Sequence, residues 1–132
     1  MEPGIDSDEY VLINALAYRL GTPQRGDIVA FRHERSAPTV YLKRVIGIPG
    51  DRIAISNGSV RVNGAALDEP YVKCRDRRSA SQIVVPSDGF YVLGDNRANS
   101  DDSRVWGFVP KSDLIGHAVL GVWPVPHIGA LR

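Results

Sequence analysis

The sequence predicts a mainly β fold built from antiparallel strands, and three observations carry that reading. Short Val- and Ile-rich runs alternate apolar with polar side chains, the period-two pattern of a half-buried strand. Nine prolines and 13 glycines are spread between those runs, as expected where many short strands are joined by turns. Asn57 and Gly58 separate two alternating runs, IAIS and SVRV. That dipeptide suits a type I′ hairpin turn, whose two central residues both take positive φ.

From the N-terminus, Tyr10 to Tyr18 (YVLINALAY) fits either a strand or a short helix, because its alanines and leucines blur the period; we take its start as a strand. A proline-containing turn from Gly21 to Gly26 leads into Asp27 to Arg32 (DIVAFR), where Ile28, Ala30 and Arg32 alternate with Val29 and Phe31 as in a strand. His33 to Pro38 is a polar loop. Val40 to Ile48 is the next strand, stopped by the turn residues Pro49, Gly50 and Asp51. Arg52 to Gly64 holds the hairpin. Ala65 to Gln82 is largely polar, with Arg75, Asp76, Arg77 and Arg78 together, and is expected to be an exposed, mobile connection. Ile83 to Leu93 resumes β patterning around a Pro, Ser, Asp, Gly turn, and Leu114 to Trp123 forms a last strand after the polar turn Lys111 to Asp113. The expected organisation is a β core from residues 1–50 and 84–125, an inserted β excursion over 51–83 and a tail over 126–132. The 132 residues suffice for one such folding unit.

Composition narrows the function. Sixteen basic and 15 acidic residues nearly cancel to +1, and no basic run is interleaved with aromatics, so nucleic acid is not an expected partner. Cys74 is the only cysteine, which excludes an internal disulfide and a cysteine-built metal site. His33, His117 and His127 show no ligand spacing. No metal and no cofactor is inferred. The N-terminus lacks the features of a signal peptide, and no stretch approaches the ~18 apolar residues of a membrane span, so the chain as written reads as soluble.

Lys43 is the residue most in need of a reason. In the run VYLKRVIGIPGD, Tyr41, Lys43 and Val45 share one strand face while Val40, Leu42, Arg44 and Ile46 share the other. A lysine on an apolar strand either snorkels its ammonium to water or, if desolvated, loses proton affinity and becomes a general base. A second unusual stretch, GDNRANSDDSRVWGFVP, runs from Gly94 through Trp106 and Phe108. Its small hydroxyl and carboxamide side chains, with Asp102 and Arg104, can build an internally hydrogen-bonded loop anchored by aromatics. Asx turns and one ion pair would order such a loop without any function, yet rigidly positioned polar loops commonly carry it. Of Trp106, Phe108 and Trp123, at least two are assigned to core packing.

The two stretches occur in order, YLKRVIGIPGD at Tyr41 to Asp51 and GDNRANSDDSR at Gly94 to Arg104. GDIVAF precedes them, VNG and LDEPYV lie between, WGFVP follows, and MEP begins the chain. Together they resemble bacterial type I signal peptidases, membrane-anchored serine proteases with a Ser-Lys dyad and an antiparallel β fold. The resemblance implies that Lys43 is the general base, that Ser100 orients it, and that Asp102 and Arg104 support the loop, with Arg44 able to join them. It implies that Tyr41 and Leu42 lie beside the shallow pockets that select small residues before the cleavage site, where larger side chains would overpack. Met1, Pro3 and Ile5 match residues following the family's nucleophile and would contact substrate; Gly4 departs from the usual Thr.

The matching serine would stand immediately before Met1, so the chain as given is expected to be truncated and inactive, with the serine, part of the oxyanion hole and a transmembrane anchor upstream. Ser7, in the acidic run DSDE, reads as a turn residue rather than a substitute. The implied activity is removal of signal peptides from preproteins on the outer face of the cytoplasmic membrane. The competing class is a non-catalytic homologue that binds extended peptides in the same groove by strand addition. The self-cleaving repressor-type proteases share a similar Ser-Lys core, but the long Asp/Arg loop and the Arg52 to Gly64 hairpin favour the signal peptidase.

Overall fold

A computed structural model describes residues 10–14, 21–32, 40–70, 72, 76–99 and 101–123. Ten strands are described: β1 Tyr10–Asn14, β2 Ile28–Phe31, β3 Tyr41–Gly47, β4 Arg52–Ser56, β5 Ser59–Val62, β6 Ala65–Ala66, β7 Ala80–Val84, β8 Gly89–Leu93, β9 Val109–Pro110 and β10 Leu114–Trp123. One short helix, α1, spans Ser103–Trp106, and 3-10 turns occupy Arg97–Asn99 and Lys111–Asp113. Residues 126–132, expected as a tail, lie outside the described residues.

The strands form a six-stranded sheet in the order β1-β10-β2-β3-β8-β9 and a four-stranded sheet in the order β6-β5-β4-β7. Every pairing is antiparallel. The fold is therefore mainly antiparallel β, as the alternating runs predict. The smaller sheet lies wholly between residues 52 and 84, and the strands that flank it in sequence, β3 and β8, are hydrogen-bonded neighbours in the larger one. The chain thus leaves the large sheet after Gly47, builds the small one, and returns beside the strand it left.

Strand alternation puts β3 between two apolar layers. Val45, with Val29, Phe31, Phe90, Val92 and Val109, forms the cluster on one face. Ile46, with Tyr91 and Leu93, packs against Ile53, Ile55, Val60, Val62 and Val85 on the other, so the second layer joins the two sheets. Arg44 and Lys43 sit one on each face of the same strand.

The hairpin forms as expected. Asn57 (φ 50°) and Gly58 (φ 83°) both occupy the left-handed region, and β4 pairs with β5 from Ser56↔Ser59 to Ile53↔Val62. Strand β1 begins where the strand reading was taken, and β10 has the predicted bounds.

The Ala65 to Gln82 connection departs from expectation. It contributes strand β6, and β7 starts at Ala80 rather than Ile83. Glu69 and Val72 are buried at 3% and 7% exposure. A sequence-local charge count misses this, because the charges are matched by partners far along the chain. Trp106 and Phe108 both pack on the cores: Trp106 meets Phe31 edge-on at 5.7 Å and Phe108 meets Tyr91 at 6.2 Å.

Candidate active site

Strand β3 positions Lys43 opposite Val29 of β2, on the face that carries Tyr41 and Val45. Tyr41 stacks on Phe31 (ring centroids 5.9 Å apart) and lies 6.1 Å from Trp106, so an aromatic group closes the apolar patch next to the lysine. Lys43 is half-buried. Burial lowers its proton affinity below the ordinary lysine value of 10.5, and the Arg104 charge acts in the same direction, while Asp102, Asp101 and Asp95 oppose it. Desolvation wins because it penalises only the ammonium form.

The loop that faces it is built around Asp102, which is fully buried. Its carboxylate accepts from the backbone N–H of Gly94 at 3.0 Å and, as the N-cap of α1, from that of Arg104 at 3.1 Å. Capping the first turn satisfies amides that the helix cannot. Arg104 closes the fork with Nε to Oδ1 at 2.9 Å and Nη2 to Oδ2 at 3.0 Å. The Ser103 hydroxyl accepts from Val92 N–H at 2.9 Å, fixing the start of α1 to β8. Asp102 and Arg104 are thus the ion pair that the sequence suggests, held at the end of β8, which is paired with the lysine strand.

Arg44, expected from the resemblance to be able to join the Asp102–Arg104 pair, forks onto Asp95 of the same motif through bonds of 3.0 and 2.8 Å and donates to the Gly26 carbonyl at 2.9 Å. It points from the face of β3 opposite Lys43. Leu42 shares that opposite face, partly exposed and across from Ala30, so it and Tyr41 flank the lysine from different sides of the sheet. Ser100, Met1, Pro3 and Ile5 lie outside the described residues, as does Ser7.

Several charged residues with structural roles here escape sequence reasoning. Asp95 and Arg97 sit inside the GDNR motif without an evident task, and Glu69 inside LDEPYV. Arg97 donates to Glu69 Oε1 at 2.7 Å and to the Gly94 carbonyl at 2.8 Å, both side chains being nearly inaccessible. A buried charge is retained only with a partner, so a charge within a motif is the one signal that points to them.

Among the described residues, no helix is long and apolar enough to cross a membrane. A lysine held half-buried beside a cluster of apolar and aromatic side chains, near a capped Asp/Arg loop, is an arrangement suited to proton abstraction.

Comparison with known proteins agrees in family. Residues 1–123 match the family described as signal peptidase, peptidase S26. The chain is 42% identical to the probable signal peptidase I-2 of Synechocystis sp. over 99% of its own length and 62% of that protein's. It is 37% identical to the signal peptidase I of Leptolyngbya laminosa over 99% and 68%. The crystal structure of a signal peptidase I from Enterococcus faecalis V583 matches with a TM-score of 0.64 at 32% identity, covering 74% of this chain and 97% of that one. The chain thus spans about three-fifths of the length of the Synechocystis relative. On the family match and these identities, it belongs to the signal peptidase family, peptidase S26.

Proposed function

We propose that this chain is the catalytic part of a signal peptidase I-type serine endopeptidase, which removes N-terminal signal peptides after small residues at the outer face of the cytoplasmic membrane. Lys43 is the general base. It takes the proton of a serine hydroxyl as that oxygen attacks the scissile carbonyl, returns it to the leaving amine, and then activates the water that hydrolyses the acyl-enzyme. The serine belongs immediately before Met1 in a longer protein that also carries the membrane anchor, and Ser100 orients the lysine. Tyr41 and Leu42 border the substrate groove, together with Met1, Pro3 and Ile5. Asp102, Arg104 and Arg44 act behind the site on its shape and charge.

The observation that carries this reading is the placement of Lys43, half-buried on β3 beside Tyr41 and its aromatic neighbours and next to the strand that ends in the Asp102–Arg104 loop, with burial lowering its proton affinity. Desolvation on an apolar strand acts in the direction a general base needs, because it disfavours the ammonium form. The test is to join the chain to an upstream segment ending in Ser, present a preprotein, and compare it with the Lys43→Ala form. Lys43-dependent cleavage is the expected result. Cleavage that survives Lys43→Ala, or no cleavage by the extended chain, would overturn the assignment.

A further inference from the structure

The excursion is fastened to the Asp/Arg loop by Asp76, through Arg104, and by Arg78, two charged groups that the proposed chemistry does not use. Arg104 Nη1 donates to Asp76 Oδ2 at 2.9 Å, and the same guanidinium reaches the Arg97 carbonyl at 3.1 Å. Arg78 donates to that carbonyl at 2.7 Å and pairs with the Asp76 carboxylate. The hairpin closes on the residues just after Asp76. The Gly58 N–H donates to the Arg78 carbonyl at 2.9 Å, and the Asn57 N–H to the Ser79 hydroxyl at 2.9 Å. The approach is so close that a Cβ at position 58 would fall 2.0 Å from the Asp76 carbonyl oxygen.

A continuous path therefore runs from the β4–β5 turn through Asp76 and Arg104 to Asp102. Arg104 is the pivot of this path. Its side chain is 6% exposed, and it divides its donors between the buried Asp102 on the loop and Asp76 on the excursion. A planar guanidinium fixed at both ends can take only one orientation. Asp76 engages Nη1, the end that the Asp102 fork leaves open, so losing that bond lets the guanidinium tilt on Asp102.

We infer that Asp76 is a positioning residue for Lys43: it holds the Arg104 guanidinium on Asp102, so that the second sheet sets the balance of charge facing the lysine. Among the described residues, the charges acting on Lys43 include Asp102, Asp101 and Asp95, which favour its ammonium, and Arg104, which disfavours it. With Arg104 seated, the Asp102 charge is partly neutralised where the lysine lies. With Arg104 tilted by loss of the Asp76 bond, Asp102 acts on Lys43 less opposed and the ammonium is favoured. The consequence for cleavage rests on Lys43 being the general base; the consequence for its titration does not.

The chain has three lysines, Lys43, Lys73 and Lys111, so lysine-selective 13C labelling lets each titrate by NMR in the chain as it stands. Asp76→Asn is expected to move the Lys43 titration to higher pH and leave that of Lys111 in place. Asp76→Glu, which keeps the charge, should restore most of the wild-type behaviour. In an Arg104→Gln background Asp76→Asn should change nothing further, since its route is removed. An unchanged Lys43 overturns the inference. A move to lower pH also overturns it, because simple loss of a distant negative charge acts in that direction. The same shift in the Arg104→Gln background overturns it too.

In the Ser-bearing extended chain, Asp76→Asn should lower kcat about tenfold at constant KM and move the acid limb of the pH profile upward, as a misplaced base does; a rise in KM alone counts against the inference. If the extended wild type does not cleave, the proposed function falls while the titration still decides the role of Asp76.

Discussion

Arg44 and Asp95 meet as a fork, Nε to Oδ1 at 3.0 Å and Nη2 to Oδ2 at 2.8 Å, with side chains only 2% and 0% exposed. The pair ties the lysine strand to the first turn of the Asp/Arg loop. Because neither charge can reach water, removing one partner strands the other, a situation that costs about 3–5 kcal/mol. Arg44→Met and Asp95→Leu should each lose stability on that scale in urea denaturation. The double replacement should lose clearly less than the sum, since it leaves no lone buried charge. Additive losses would mean that the fork is not the unit that matters.

Lys43 carries a stability cost that follows from the same desolvation. Its proton affinity is lower in the folded chain than the ordinary 10.5, so the unfolded chain binds this proton more tightly. Below the lowered folded value the full penalty is present, and it is relieved as pH rises through that value toward 10.5. Lys43→Met should therefore be more stable than wild type at neutral pH, with the difference shrinking in alkali. Denaturation at a series of pH values checks this. A difference that does not vary with pH would show that Lys43 keeps its ordinary affinity. In the Ser-bearing extended chain the same substitution should abolish cleavage.

The strands and the hairpin are legible in the sequence because each rests on local chemistry: alternation at Ile28 to Phe31, turn residues at Pro49 to Asp51, positive φ at Asn57 and Gly58. The Asp102–Arg104 pair is legible for a similar reason, as its members are two residues apart. What the sequence hides is long-range. Asp95 lies 51 residues from Arg44 and Glu69 lies 28 from Arg97, and no periodicity relates such positions. The polar connection from Ala65 to Gln82 reads as exposed for that reason: its charges look solvated until the loop that neutralises them is folded against it. The assignment of Lys43 as a base rather than a snorkelling lysine also needs burial, a tertiary property.

Asp51 illustrates a carboxylate with a definite pH range. Its side chain accepts from Arg25 Nε and Nη2 at 2.7 Å each, from the Ile48 N–H at 3.0 Å and from Asn63 Nδ2 at 3.0 Å. It thereby pins the β3–β4 turn to the end of the hairpin. The Arg25 bonds foremost, with the other two donors, hold its pKa down to about 2 from 3.8. A depressed carboxylate contributes stability that is present above its unfolded value and lost as pH falls through the folded one. Asp51→Asn should cost roughly 1–2 kcal/mol at pH 7, allowing for screening of a partner that is 45% exposed. Acid titration of stability should show the gap to wild type closing between about pH 4 and pH 2. A gap that stays constant would assign the loss to geometry instead of charge.

Gly58 and Gly64 offer a matched pair for measuring how tightly the hairpin presses on Asp76. Both are in the left-handed region, φ 83° and 86°, so a Cβ at either costs about 1–2 kcal/mol from backbone strain alone. They differ in surroundings. A Cβ at Gly64 meets nothing within 4 Å, whereas one at Gly58 falls 2.0 Å from the Asp76 carbonyl oxygen, a backbone atom that cannot rotate aside. Gly64→Ala should show the strain cost only. Gly58→Ala must displace Asp76 as well, losing the Arg78 and Ser79 bonds of the turn, and should lose about 2–4 kcal/mol in the same denaturation assay. It should also shift the Lys43 titration in the direction of Asp76→Asn, while Gly64→Ala leaves it in place. Equal losses at the two glycines, with no change at the lysine, would show that the hairpin lies against Asp76 without holding it.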